Sequence, residues 1–232
     1  MSALRHRVYF VSGIDTDAGK TVATGLMLRH LVRAGVSCTS VKLVQTGCRG
    51  AVAEDVLEHR RLAGLGSLPE DVAGLTSPQV FAFPASPPLS ARLEGRVVDV
   101  RHIEECVAKC AAARDTVLAE GAGGLLAPVA DDLSGADLAA QNGWPLILAT
   151  SGRLGSLNHT LLSIEAALAR GLRIAGLAFG TSAGEDPRIA ADTEREILRC
   201  AAQAGISLPV VHIPRLAPNA PPPDIDFGEF FA

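Results

Sequence analysis

The sequence predicts an α/β fold: a doubly wound, mostly parallel sheet flanked by helices. Three observations carry that expectation. Short apolar runs alternate with longer helical stretches almost from end to end. The runs are continuous rather than alternating, as in strands buried on both faces. The first run also opens into a glycine-bounded loop that leads directly into a helix, VYFVSGIDTDAGKTV.

The elements follow in order. Residues 8–12 form the first strand, and residues 20–34 a helix with Leu26, Leu28, Leu31 and Val32 as apolar positions and Gly35 as its stop. Residues 37–44 read as the second strand and 54–65 as a short helix. Residues 66–88, irregular and Pro-containing, read as a surface excursion. A helix over 99–113 precedes a strand over 116–119 that ends at Glu120. Strands over 145–150, 172–179 and 208–213 alternate with helices over 158–170 and 186–204, the latter closed by Gly205. Residues 218–223 are Pro-rich and read as irregular. The whole, 1–232, is expected to be one domain with a C-terminal tail over 217–232, where Ile225, Phe227, Phe230 and Phe231 suggest partial docking.

Composition narrows the function classes. The chain has 232 residues, 48% hydrophobic and 20% charged, ordinary for one large α/β domain. With aromatics at 4%, Ala, Val, Leu and Ile must build the core. A net charge of −4 gives no footprint for nucleic acid or an anionic membrane. No apolar run approaches the roughly 18 residues of a membrane span, and the start shows no signal peptide. The five cysteines have no framework spacing and read as reduced thiols in a cytoplasmic protein. Cys106 and Cys110 share a helix face and read as core packing, since no second ligand pair accompanies them.

In such sheets ligands bind beyond the carboxyl ends of the strands. The first of these ends is a phosphate-cradling loop. Backbone N–H groups from Gly13 to Val22 face the anion, Lys20 supplies a point charge, and the Thr21 hydroxyl is placed to hold Mg²⁺. Five residues, Ile14, Asp15, Thr16, Asp17 and Ala18, separate Gly13 from Gly19, where the common pattern has four. Their acidic and hydroxylic content suits a second, cationic substrate. Lys42 ends the second strand and would face the same mouth as Lys20; its alternative is an exposed lysine shielding a sheet edge. Asp55 opens a helix, where the dipole alone favours a carboxylate. Glu120, at a strand end beside Gly121-Ala122-Gly123-Gly124, stands where phosphate-loop enzymes place a Mg²⁺ ligand.

Taken together, GIDTDAGKT, the VKLVQTG turn, Asp55, VLAEGAGGLLAP and LGSLNH resemble the dethiobiotin synthetases, in order and spacing, up to about Leu216. The resemblance implies a phosphate-loop NTPase fold and a reaction of ATP, CO₂ and 7,8-diaminononanoate, with Mg²⁺. A carbamate forms, is phosphorylated to a carbamic–phosphoric anhydride, and closes to the cyclic urea of dethiobiotin. It implies catalytic roles for Lys20, Lys42 and Thr16, and metal ligation by Thr21, Asp55 and Glu120. The nucleotide would be held by residues 13 and 15–22 together with Gly180 and Pro214-Arg215-Leu216. The diamine or its carbamate would meet Thr16, Asp17, Lys42, Thr46 and Gly123, and also Gly155, Ser156, Leu157 and Asn158 from the other subunit of a homodimer. Asn158 alternatively reads as a plain helix N-cap, and His159 as a structural neighbour.

Two positions depart from the family pattern. Pro88 stands where a His is usual, and Gly180 where an Asn often reads adenine. The second departure predicts weak discrimination among nucleoside triphosphates. A partition-type ATPase would carry a lysine early in the loop, but no Lys or Arg lies between Gly13 and Lys20. A cobyrinate-type amide synthase would need a glutaminase domain that the chain is too short to hold. A metabolite kinase would not explain EGAGG together with LGSLNH.

Overall fold

The computed structural model describes residues 6–217 and 220–232. Strand β1 (Val8–Gly13) leads through the glycine-bounded loop into α1 (Lys20–Arg33), and β2 (Cys38–Lys42) follows. Next come β3 (Gln45–Thr46), α2 (Glu54–Ala63), α3 (Pro69–Val72), β4 (Val80–Phe81), α4 (Pro87–Leu93) and α5 (Val100–Ala113). Strand β5 (Thr116–Gly124) is followed by the hairpin β6 (Pro128–Ala130) and β7 (Leu133–Ser134), and by α6 (Gly135–Gln141). Then β8 (Leu146–Ser151), α7 (Ser156–Leu168), β9 (Ile174–Gly180), α8 (Pro187–Gln203) and β10 (Val210–Ile213) complete the alternation.

Six strands form one parallel sheet in the order β10-β9-β8-β1-β5-β2. Successive residues of β1 serve opposite faces: Phe10 packs with α5 to α8 on one, Tyr9 and Val11 with α1 on the other. Both faces are covered, which is why the strands read as continuous apolar runs. Because β1 lies between β5 and β8, its loop opens at the point where the winding reverses, and Gly13 and Glu120 end up on adjacent strands.

Four expectations need correction. The strand expected to end at Glu120 runs on to Gly124, because the glycine-rich stretch continues pairing beside β1. Residues 66–88 are not a surface excursion: Thr76 and Phe81 are buried, and the segment holds α3 and β4. Its backbone takes over where β2 leaves the sheet, with Lys42 N–H donating to the Thr76 carbonyl at 2.9 Å and Gln45 N–H to Gln79 at 2.9 Å. Strand β2 accordingly ends at Lys42, two residues earlier than expected. Helix α7 begins at Ser156 behind Gly155, whose φ of 94° makes it the N-cap. Asn158 is therefore the third helical residue and caps nothing.

The C-terminal segment docks more fully than its proline content suggests. Phe227, Phe230 and Phe231 are buried against the α1 face of the sheet, with Phe231 edge-on to Tyr9 at 5.0 Å. A short 3₁₀ turn, Gly228–Phe230, presents the Phe230 ring to Gly176, where a Cβ would collide with it. Asp224 pairs with Arg29 at 2.8 Å and Arg33 at 3.0 Å on α1. Pro218, expected in the irregular stretch, lies outside the described residues. Cys106 and Cys110 are buried free thiols on α5, as core packing requires.

Candidate active site

The loop between β1 and α1 turns back on itself through two left-handed residues, Asp17 (φ 59°) and Gly19 (φ 88°). Gly tolerates that region freely, and Asp is among the few other residues that visit it. Helix α1 starts immediately after Gly19 with no side-chain cap, so its first N–H groups are left for a ligand. Lys20 folds its Nζ back to donate to the Asp15 carbonyl at 2.8 Å. Burial, reinforced by the Lys42 charge, pulls the Lys20 ammonium below the usual lysine range.

A cavity of about 450 Å³ opens over this loop. Its walls include Thr16, Asp17, Lys20 and Thr21 from the loop, Lys42 and Thr46 from the second strand and turn, Asp55 from α2, and Gly123 from β5. A second recess, of about 220 Å³, is lined by Ala18, Gly180, Pro214, Arg215 and Leu216. Gly19 and Val22 border both. The two hollows thus meet at the phosphate cradle, one at the mouth of the sheet and one beside β9 and β10.

At the inner wall Lys42 Nζ pairs with Asp55 Oδ2 at 2.6 Å and Glu120 Oε1 at 2.8 Å, and donates to the Gly121 carbonyl at 2.9 Å. Glu120 is completely buried. Burial alone would raise its pKa, but the Lys42 charge and the hydrogen bonds from Lys42 and His59 outweigh it and hold the carboxyl far below the usual range. Lys42 shows the mirror balance: burial opposes its charge, and Glu120 and Asp55 together hold its pKa above the ordinary value. Thr21 Oγ1 donates to Glu120 Oε1 at 3.3 Å, so hydroxyl, carboxylates and ammonium face one small volume.

Some expected residues lie elsewhere. Asp15 Oδ1 accepts from Thr16 N–H at 2.7 Å, and its Oδ2 pairs with Arg153 at 3.4 Å, so its side chain faces a different, largely apolar hollow. Residues 155–158 line neither recess; Gly155 and Asn158 are exposed, whereas Ser156 is buried with its Oγ 3.1 Å from Ser151 Oγ. Sequence reasoning passed over His59 and Thr24, which contact Glu120 Oε2 at 2.9 and 2.6 Å. A signal for His59 existed: it stands four residues after Asp55, on the same face of α2. Val44, Gln45 and Ala122 also line the larger cavity.

A strand, a Gly-bounded cradle and a Lys-Thr helix start on a parallel sheet define a phosphate-loop nucleotide-binding protein. Consistent with this, a family model described as an AAA domain matches residues 7–217. More specific likeness comes from individual relatives. The ATP-dependent dethiobiotin synthetase BioD 2 of Haemophilus influenzae is 45% identical over 173 residues, 75% of this chain and 90% of that protein. Its counterpart in Pasteurella multocida is 42% identical over 193 residues, 83% of this chain and 90% of that one. The Chlorobaculum tepidum dethiobiotin synthetase BioD is 40% identical over 223 residues, covering 96% and 93%. The chain belongs to the dethiobiotin synthetase family.

Proposed function

We propose that this enzyme makes dethiobiotin for biotin biosynthesis, closing 7,8-diaminononanoate with CO₂ at the expense of ATP. One observation carries the reading: Lys42 Nζ held between Asp55 and Glu120, in the cavity that also exposes Lys20 and the Thr16 and Thr21 hydroxyls. That wall suits a transferring phosphoryl group, whose transfer requires mainly positioning and charge neutralisation.

One amine of the substrate adds to CO₂ and loses a proton, giving a carbamate. A carbamate oxygen attacks the γ-phosphorus, and the bond to ADP breaks. The second amine then attacks the carbamoyl carbon, the C–O bond breaks, and phosphate departs as the ring closes. Lys20 and Lys42 bracket the moving phosphoryl group with positive charge. Thr16 donates to the carbamate or a phosphate oxygen, Asp17 orients an amine, and Thr46 and Gly123 border the diamine. Ring closure within one held molecule gains effective molarities on the order of 10⁵ M or more.

Thr21, Asp55 and Glu120 would hold Mg²⁺. Thr21 Oγ1 contacts Glu120 Oε1, and Asp55 Oδ2 reaches the same carboxylate through the shared Lys42 Nζ, so three hard oxygen donors stand together at the cavity wall. An open set of few protein oxygens completed by phosphate and water is what Mg²⁺ favours. When bound, Mg²⁺ neutralises charge on the β- and γ-phosphate oxygens.

The smaller recess takes the base. With Gly180 in its wall there is no side-chain amide to read adenine, so backbone groups and the Arg215 loop must do so, and nucleotides are weakly discriminated. The carboxylate tail of the diamine is met by residues 155–158 of a second subunit. That assignment is supported by the exposure of Leu126, Leu154 and Leu162 around the same helix start. Among the described residues no helix is long and apolar enough to cross a membrane; we place the enzyme in the cytoplasm, with no nucleic-acid partner. The test is direct: the protein with diaminononanoate, bicarbonate and MgATP should yield dethiobiotin, and ATP turnover without that product would contradict the reading.

A further inference from the structure

Behind the active-site wall lies a chain of buried polar groups that the reaction scheme does not use. Arg60 Nη1 donates to Ser40 Oγ at 2.9 Å, Ser40 Oγ lies 2.9 Å from His59 Nδ1, and His59 Nε2 lies 2.9 Å from Glu120 Oε2. All four side chains are buried, Ser40, His59 and Glu120 completely. Arg60 is itself locked by both oxygens of Asp71, at 3.0 and 2.8 Å.

The direction of these bonds follows from the inventory of protons. A guanidinium only donates, so the Ser40 oxygen is the acceptor in its bond with Arg60. The Ser40 hydroxyl still has one proton to give and one lone pair to accept with, so it can meet His59 Nδ1 in either role, and the Glu120 side of the neutral ring decides between them. A ring that accepts at Nδ1 carries its proton on Nε2, where it meets the Glu120 carboxylate. The opposite neutral tautomer would set a nitrogen lone pair against a carboxylate oxygen inside a dry wall, which is costly.

We propose that His59 is a positioning residue for Glu120. Its Nε2–H, together with the Thr24 hydroxyl, pins Oε2 so that Oε1 faces Lys42 and Thr21, on the side where Mg²⁺ would be held. Oε1 is the oxygen that Lys42 and Thr21 contact, and Oε2 the one held from behind. A carboxylate free to rotate would instead share its ligating oxygen between the two directions. The relay therefore sets the orientation of a proposed metal ligand from outside the cavity. The inference rests on the reading of Glu120 as that ligand, but the tautomer is measurable on the protein alone.

Long-range ¹H–¹⁵N spectra of histidine-labelled full-length protein, with His59 assigned by loss of its signals in His59→Gln, should show the proton on Nε2. In Ser40→Ala the proton should stay on Nε2, because the Glu120 carboxylate still faces it; a shift to Nδ1 would contradict the proposal. A proton resident on Nδ1 in the unaltered protein overturns the proposal, whether or not dethiobiotin is made. Calorimetry with ADP, with and without Mg²⁺, supplies the second readout. His59→Leu should weaken the Mg²⁺-dependent part of binding by about 10–100-fold and leave metal-free binding unchanged. His59→Gln, whose amide N–H can replace the imidazole donor, should restore most of it. Equal affinities in all three proteins, or equal losses with and without Mg²⁺, contradict the role. Should His59→Leu not fold, the tautomer and the Ser40→Ala and His59→Gln titrations still decide.

Discussion

Lys42 is the residue on which the proposed chemistry depends most. It is a buried cation whose two carboxylate partners keep it charged. Lys42→Ala should lower the rate of dethiobiotin formation by about 10²–10³-fold, by analogy with the loss of one preorganised donor at developing charge. A near-normal rate in a folded variant would remove the role assigned to it. Gly180 gives a second residue-scale test. Gly180→Asn should raise the preference for ATP over CTP and GTP in kcat/KM, and an unchanged ratio would count against a base site beside β9. Most polar groups of this wall were legible in the sequence because strand ends of a parallel sheet share one edge. Lys42 and Glu120 stand in strand segments, and Lys20 and Thr21 close the glycine-bounded loop that leaves β1. The contact of His59 with Glu120 was not legible, because it depends on α2 packing against α1 and β2, and the two partners are 61 positions apart.

At the scale of elements, the least legible stretch was 66–88. Its prolines and glycines break every periodicity, so it reads as loop. Its order comes from long-range partners instead: the backbone bonds to the end of β2, and a buried pair of Arg60 on α2 with Asp71 on α3. Burial pushes the Asp71 carboxyl upward, yet the Arg60, Leu68 and Thr76 hydrogen bonds outweigh it and hold it below the ordinary aspartate range. The unfolded chain therefore takes up this proton first as the pH falls. The pair's contribution is present above about pH 4 and is lost as the pH drops through the depressed value. Asp71→Asn should cost about 3–5 kcal/mol at neutral pH by stranding a buried guanidinium. Its unfolding free energy, from denaturant titrations, should also fall less steeply below pH 4 than that of the unaltered protein. Helix α7 makes the opposite case: its existence was legible, its start was not, because Gly155 caps it through backbone conformation alone. Asn158→Ala should weaken diamine binding more than ATP binding. Equal losses would argue that the exposed helix start does not serve the substrate.

For the whole molecule, the C-terminal segment closes the α1 face of the sheet. The sequence suggested docking through its phenylalanines, but not that Gly176 in β9 leaves the space Phe230 fills. Phe230→Ala should destabilise by about 3–5 kcal/mol, as for other large-to-small core changes, read as a lowered midpoint in thermal or denaturant unfolding. A loss within a few tenths of a kcal/mol would mean the segment is not part of the core in solution. The same face carries α1, whose first turn is the phosphate cradle, so the tail, the helix and the loop form one continuous support. Above it the loop borders both recesses, and the central claim is that it is a floor shared by a nucleotide and a carbamate that react directly. Oxygen transfer tests this most directly. With ¹⁸O-labelled CO₂, unlabelled water, diaminononanoate and MgATP, sampled over the first turnovers, the released phosphate should carry one ¹⁸O. The cyclic urea should retain the other. Phosphate free of ¹⁸O, formed alongside ADP, would mean that the γ-phosphoryl group went to water and would contradict the account.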